Sequence, residues 1–168
     1  MKSIFASFWR ICIFNSGPES IPANNTLFIV VVAVNAALNV LVQYVLGGED
    51  GDLLRASTMA IVSLAGTGGL IWFVMTLMNL SNRAPQTITA VFGVDIILTT
   101  LTATLLLGAE SIGMTFARFV ITMLTLWSLA IYGFIFHRAM NIHIGFGIAM
   151  ALFVVIFSVA ITQTALAT

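Results

Sequence analysis

Five long apolar runs, separated by short polar breaks, dominate the hydropathy pattern of this chain. A helix needs about 20 mostly apolar residues to cross a bilayer. The runs at 26–46, 56–80, 86–108, 115–136 and 144–166 all meet that length. The breaks between them carry Gly47-Gly48-Glu49-Asp50-Gly51-Asp52, then Ser81-Asn82-Arg83-Ala84-Pro85, then 109–114, then 138–143. Such short connections predict that successive helices are antiparallel neighbours. No internal repeat at a fixed period is visible.

Ahead of the first run, the opening MKSIFASFWRICIF has a different pattern. Ile4, Phe5, Phe8, Trp9, Ile11 and Cys12 fall on one broad helical face, with Lys2, Ser3, Ser7 and Arg10 mainly on the other. It is too short to span, Arg10 interrupts it, and no small-residue cleavage pattern follows. The expectation is an interfacial amphipathic helix at 1–16, anchored by Trp9 and Arg10. A linker at 17–25 follows, in which Asn24 or Asn25 can cap the first span. Residues 26–168 then form one transmembrane domain. The predicted fold class is an all-α integral membrane protein: five transmembrane helices with an N-terminal interfacial amphipathic helix.

Composition makes lipid the necessary solvent. Sixty per cent of the 168 residues are hydrophobic and 7% are charged, with a mean hydropathy of +1.12. A soluble domain carries about 25% charged residues to keep its surface wet. The formal net charge is zero, so the chain lacks the basic footprint of a nucleic-acid binder. Cys12 is the single cysteine, and His137 and His143 sit six residues apart, off a common helical face. No metal centre and no cofactor is expected.

Charge asymmetry predicts orientation, because Lys and Arg are retained on the cytoplasmic side. Lys2, Arg10, Arg83 and Arg138 fall on one side of the spans; Glu49, Asp50, Asp52 and Glu110 fall on the other with Arg55 and Arg118. The N-terminus is therefore expected in the cytoplasm and the C-terminus outside. Arg83, Arg118, His137 and Arg138 join Trp9 and Arg10 as predicted interface anchors, with Arg118 snorkelling outward toward Glu110 or the headgroups.

Polar residues inside the spans form stripes. Asn35, Asn39 and Gln43 recur at i, i+4 and i+8 in the first, and Asp95, Thr99 and Thr102 at i, i+4 and i+7 in the third. Arg118, Thr122, Thr125 and Tyr132 trace a similar line in the fourth. Hydrocarbon offers such groups no partners, so these faces should turn inward as a polar membrane core. A rise of about 1.5 Å per residue puts Asp95 and Asn35 each roughly 14 Å from the same edge. An Asn35 amide donating to Asp95 is the expected pairing. Arg118 enters from the opposite side, across an axial gap of about 15 Å that its side chain cannot close. In the second span, Gly66, Gly68 and Gly69 predict close helix packing, and Gly145 and Gly147 suggest it in the fifth.

Three stretches resemble those of small, uncharacterised five-span inner-membrane proteins of proteobacteria. They are Gly17-Pro18-Glu19-Ser20-Ile21-Pro22, Gln86-Thr87-Ile88-Thr89-Ala90-Val91-Phe92-Gly93-Val94-Asp95, and Trp127 through His137-Arg138-Ala139. With five short-looped spans, the chain resembles the Yip1-like membrane proteins. The resemblance implies a helical protein of the bacterial inner membrane that acts by binding other proteins, with no activity or cofactor to carry over.

No nucleophile has a neighbouring base, so an enzyme is not expected. The leading expectation is a non-enzymatic scaffold or accessory subunit whose partners are the lipid bilayer and other membrane proteins, or further copies of itself. Asp95 then acts as a polar lock. The alternative is a small transporter or proton-coupled channel component using the intramembrane Asp95, a reading weakened by the lack of a second titratable group at its depth.

Overall fold

A computed structural model describes residues 4–46 and 52–166, leaving aside the side chains of residues 46, 110, 162, 165 and 166. Lys2, Glu49, Asp50 and the Glu110 side chain therefore lie outside the described set. Among the described residues there is no strand. The helices are α1 (Ile4–Cys12), α2 (Asn25–Leu46), α3 (Leu53–Leu77), α4 (Ala84–Leu107), the single turn α5 (Ala109–Ile112), α6 (Met114–Met140) and α7 (Ile144–Leu166). Helices α2, α3, α4, α6 and α7 are long and apolar enough to cross a membrane. The protein is thus an all-helical, multi-pass bundle.

Local chemistry sets the helix ends. Asn24 Oδ1 accepts from the Thr26 N–H at 2.8 Å, capping α2. Asp52 accepts from the Leu54 N–H at 2.9 Å and starts α3 three residues ahead of the hydropathy edge. Helix α3 stops correspondingly early, where Asn79 takes a left-handed turn at φ 59°. Asn141, at φ 54°, ends α6 a full turn later than the apolar run does. Asparagine tolerates that conformation because its amide can bond locally. Arg138, expected in the break, is consequently helical and joins His137 in the last turn of α6, where cations offset the helix dipole.

Helix α4 lies at the centre, packed against α1, α2, α3 and α6, while α7 packs on α6 and α3. Every residue from Thr87 to Val94 is buried. Helix α1 docks into this core. Its Phe8, Ile11 and Cys12 are buried, whereas Ile4, Phe5 and Trp9 face outward. The single apolar face expected of α1 is therefore split into two, one for the bundle and one for the surroundings. Phe8 covers Gly93, where a Cβ would overlap its ring. Gly93 lies about 14 Å along α4, so α1 reaches well into the bundle instead of resting on its end.

The closest helix approaches use Gly147, as expected in the fifth span, together with Gly133, which the sequence pattern does not single out, rather than the glycines of the second span. Gly133 of α6 lies against the Ile148 backbone, and Gly147 of α7 against the Gly133 carbonyl and the His137 backbone. By contrast a Cβ at Gly66 would lie 3.4 Å from Ile161, one at Gly68 would lie 3.6 Å from Phe92, and one at Gly69 would meet nothing within 4 Å. Gly66, Gly68 and Gly69 are thus not tight packing points, because α3 turns them toward flexible side-chain ends or open space. Gly145 meets only its neighbour His143.

Burial pushes the Cys12 thiol up to about 11, leaving about a hundredfold less thiolate than the ordinary value of 9.0 allows. A water-soluble maleimide at pH 8 should therefore label Cys12 slowly in the folded protein. Gly93→Leu would evict Phe8 and release α1, so labelling should accelerate at least tenfold; Gly69→Leu should leave it slow. Equal rates in all three proteins would show that α1 does not dock on Gly93.

Candidate functional site

The polar stripe of α4 meets α2 and α6 at Asp95. Asn35 Nδ2 donates to Asp95 Oδ2 at 2.8 Å and to the Phe92 carbonyl at 3.1 Å. Tyr132 Oη donates to Asp95 Oδ1 at 3.0 Å. Each carboxylate oxygen thus accepts from a different helix. Asn39 Nδ2 extends the chain by donating to the Asn35 backbone carbonyl at 3.0 Å and to Asn35 Oδ1 at 3.1 Å. Asn35 is buried and Asp95 partly so. In lipid an unsatisfied polar group costs several kcal/mol, so this connected network favours one arrangement of α2, α4 and α6.

Axial position explains the convergence. Asn35, Asp95 and Tyr132 lie about 15, 17 and 12 Å from the same end of their helices. The antiparallel course of α6 brings Tyr132 level with Asp95 even though it lies far from the start of its own span. The Asn35–Asp95 bond is the one that depth arithmetic indicates. Tyr132 was visible as a polar member of the α6 line, and counting inward from the other end of that span would have paired it with Asp95.

A cavity of about 200 Å³ opens beside this network. Asn35, Asn39, Asp95 and Tyr132 form one polar wall. Ser63, Thr67 and Ser158 form the other, with Ser63 Oγ 3.2 Å from Ser158 Oγ and Thr67 Oγ1 donating to Ser158 at 3.1 Å. This hydroxyl wall carries a weak sequence signal: Ser63 and Thr67 make a single i, i+4 pair on α3, and α7 supplies a lone serine. All five long helices line the cavity.

A second cavity, also about 200 Å³, lies toward the opposite end of α4 and is lined by Thr99, Thr102, Thr125 and Ser128. Asp95 and Tyr132 line both cavities, so the bonded pair stands as their common wall. Thr99 and Thr102 therefore join the site as its second chamber. Gln43 does not: its Oε1 is buried with no hydrogen-bond partner among the described residues.

Most predicted anchors stand apart from this centre. Trp9, Arg10 and Arg118 are exposed. Arg83, His137 and Arg138 gather at the end of the bundle where α4 begins and α6 ends. There Arg138 pairs with Glu19, the one salt bridge among the described residues. Among the described residues no three His, Cys, Asp or Glu side chains come together as metal ligands. No family model, curated protein or solved structure matches this chain.

Hydrogen bonds across helices in a bilayer contribute about 0.6 kcal/mol on average and up to about 1.7. A double-mutant cycle of Asn35→Ala and Asp95→Ala, read by unfolding in mixed micelles, should give a coupling near the upper part of that range. The Tyr132→Phe and Asp95→Ala cycle should give a similar value. Coupling below about 0.3 kcal/mol in both cycles would remove Asp95 as the node joining the three helices.

Proposed function

We propose that this is a non-enzymatic, Yip1-like protein of the bacterial inner membrane, with its N-terminus in the cytoplasm, that handles protons or a small polar solute at Asp95. The observation that carries the reading is the pair of polar cavities meeting at the Asp95–Tyr132 wall. A carboxylate placed inside a lipid-embedded bundle is a functional candidate by default. Each chamber has room for several waters. Tyr132 Oη sits in direct contact with the carboxylate and supplies the second protic group that a relay requires. Proton uptake at Asp95 would weaken one of its two accepted bonds and so couple the α2–α4–α6 junction to the contents of the cavities.

A separate observation favours the scaffold or accessory-subunit reading. An almost purely apolar groove of about 530 Å³ runs between α2 and α3, lined by Phe28, Val32, Ile61, Gly68, Gly69 and Trp72 with buried Ile88 and Phe92 of α4. Small residues at such a surface let another helix come close. The occupant on that reading is a helix of another membrane protein or of a second copy.

Proteoliposomes loaded with a pH-sensitive dye separate the two readings. The first requires wild-type proton flux above that of empty vesicles and at least a tenfold loss in Asp95→Asn, with Tyr132→Phe intermediate. Wild-type vesicles as tight as empty ones, or flux indifferent to Asp95→Asn, would overturn it. Loss of assembly in Gly69→Leu without any flux would carry the second reading instead.

A further inference from the structure

A cavity of about 710 Å³ opens at the end of the bundle opposite the Thr99–Thr102 chamber, well separated from Asp95 in chemistry and lining. Three segments converge on it: the turn Pro18–Ser20, the junction of Ser81–Arg83 with α4, and the last turn of α6. Its charged lining consists of Arg83 and Arg138 against Glu19, with His137, Gln86 and Thr87 adding polar groups.

The two guanidinium groups are held differently. Among the described residues the Arg83 guanidinium makes one contact, from Nη1 to the Ala139 carbonyl at 3.5 Å, beyond the usual range for a hydrogen bond. Nearly all its donors remain available. Arg138 points Nε, at 3.1 Å, and Nη2 at the same Glu19 oxygen. A guanidinium fork is shaped for carboxylate and phosphate oxygens alike. Glu19 therefore fills from within the chain the place that an external oxyanion would take, and both members of that pair remain about half exposed. With two cations against one acid, the cavity holds an excess of positive charge beyond what Glu19 neutralises.

We propose that this cavity binds a phosphate group, with Arg83 and Arg138 as its ligands and Glu19 as an internal competitor that must yield for the second arginine to engage. Charge selects an anion. The fork geometry selects a planar or tetrahedral oxyanion over a halide. The volume admits a phosphate together with the glycerol or sugar that carries it. The phosphate can come from an anionic lipid headgroup at the bundle edge or from a soluble phosphate.

The test follows the unfolding temperature of the full chain in nanodiscs. One arm titrates phosphatidylglycerol into phosphatidylcholine discs; the other adds inorganic phosphate to discs of phosphatidylcholine alone, with sodium chloride at matched ionic strength as the control. Saturable stabilisation in either arm, absent with chloride, supports the site and identifies the source of the phosphate. Arg83→Gln removes no well-formed contact, so it should keep the ligand-free unfolding temperature and weaken apparent affinity at least tenfold. Glu19→Gln should tighten binding severalfold by freeing Arg138. Three outcomes would overturn the proposal: no saturable stabilisation in either arm, unchanged affinity in Arg83→Gln, or weaker binding in Glu19→Gln.

Discussion

A carboxylate half-buried among membrane-spanning helices takes its hydrogen-bond donors from two neighbouring helices, and that constraint organises this structure. Asp95 sits on α4, the helix most surrounded by others. Its two oxygens take donors from Asn35 on α2 and Tyr132 on α6. Dispersion alone distinguishes poorly between one rotation of an apolar helix and another, because lipid tails pack against leucine much as a neighbouring helix does. Directional bonds from two sides do distinguish them. They fix the rotation of α4, and with it the placement of Phe92, Gly93 and the threonines further along.

Close approach supplies the complementary half of the architecture. Glycines at 93, 133 and 147 bring α1 onto α4 and α6 onto α7. At each of them a side chain or backbone occupies the space that a Cβ would need. The polar residues at the centre are then held without filling the space around them, which leaves a chamber on either side of the Asp95–Tyr132 pair. A bundle packed as densely as a soluble core would have no such chambers. The tightness at the glycines and the openness at Asp95 belong to one arrangement.

Much of this was legible in the residues. Apolar run length identifies all five spans, and polar stripes locate the inward faces of α2 and α4. Depth arithmetic links Asn35 to Asp95 because both count from the same edge. The misses have physical causes. Tyr132 reaches Asp95 from a helix that runs the other way, so its depth must be counted from the far end of its run. Ser158 leaves no stripe, since the lone serine of α7 is invisible to periodicity, and Ser63 with Thr67 makes only a single i, i+4 pair on α3. Glycines read alike in a sequence, yet Gly69 faces open space while Gly147 carries a helix crossing. The partnership of Glu19 with Arg138 joins residues 119 apart and depends on the extra turn that Asn141 gives α6.

The donors to Asp95 decide how α2, α4 and α6 sit together. Isotope-edited infrared spectroscopy of the protein carrying 13C-labelled aspartate, with the Asp95 band assigned by its loss in Asp95→Asn, reads the carboxyl group directly. The structure requires that band to shift in both Asn35→Ala and Tyr132→Phe and to stay in place in Arg118→Gln. A band that ignores the first two substitutions, or that responds to Arg118→Gln alone, would contradict the three-helix junction on which the cavities and the proposed function depend.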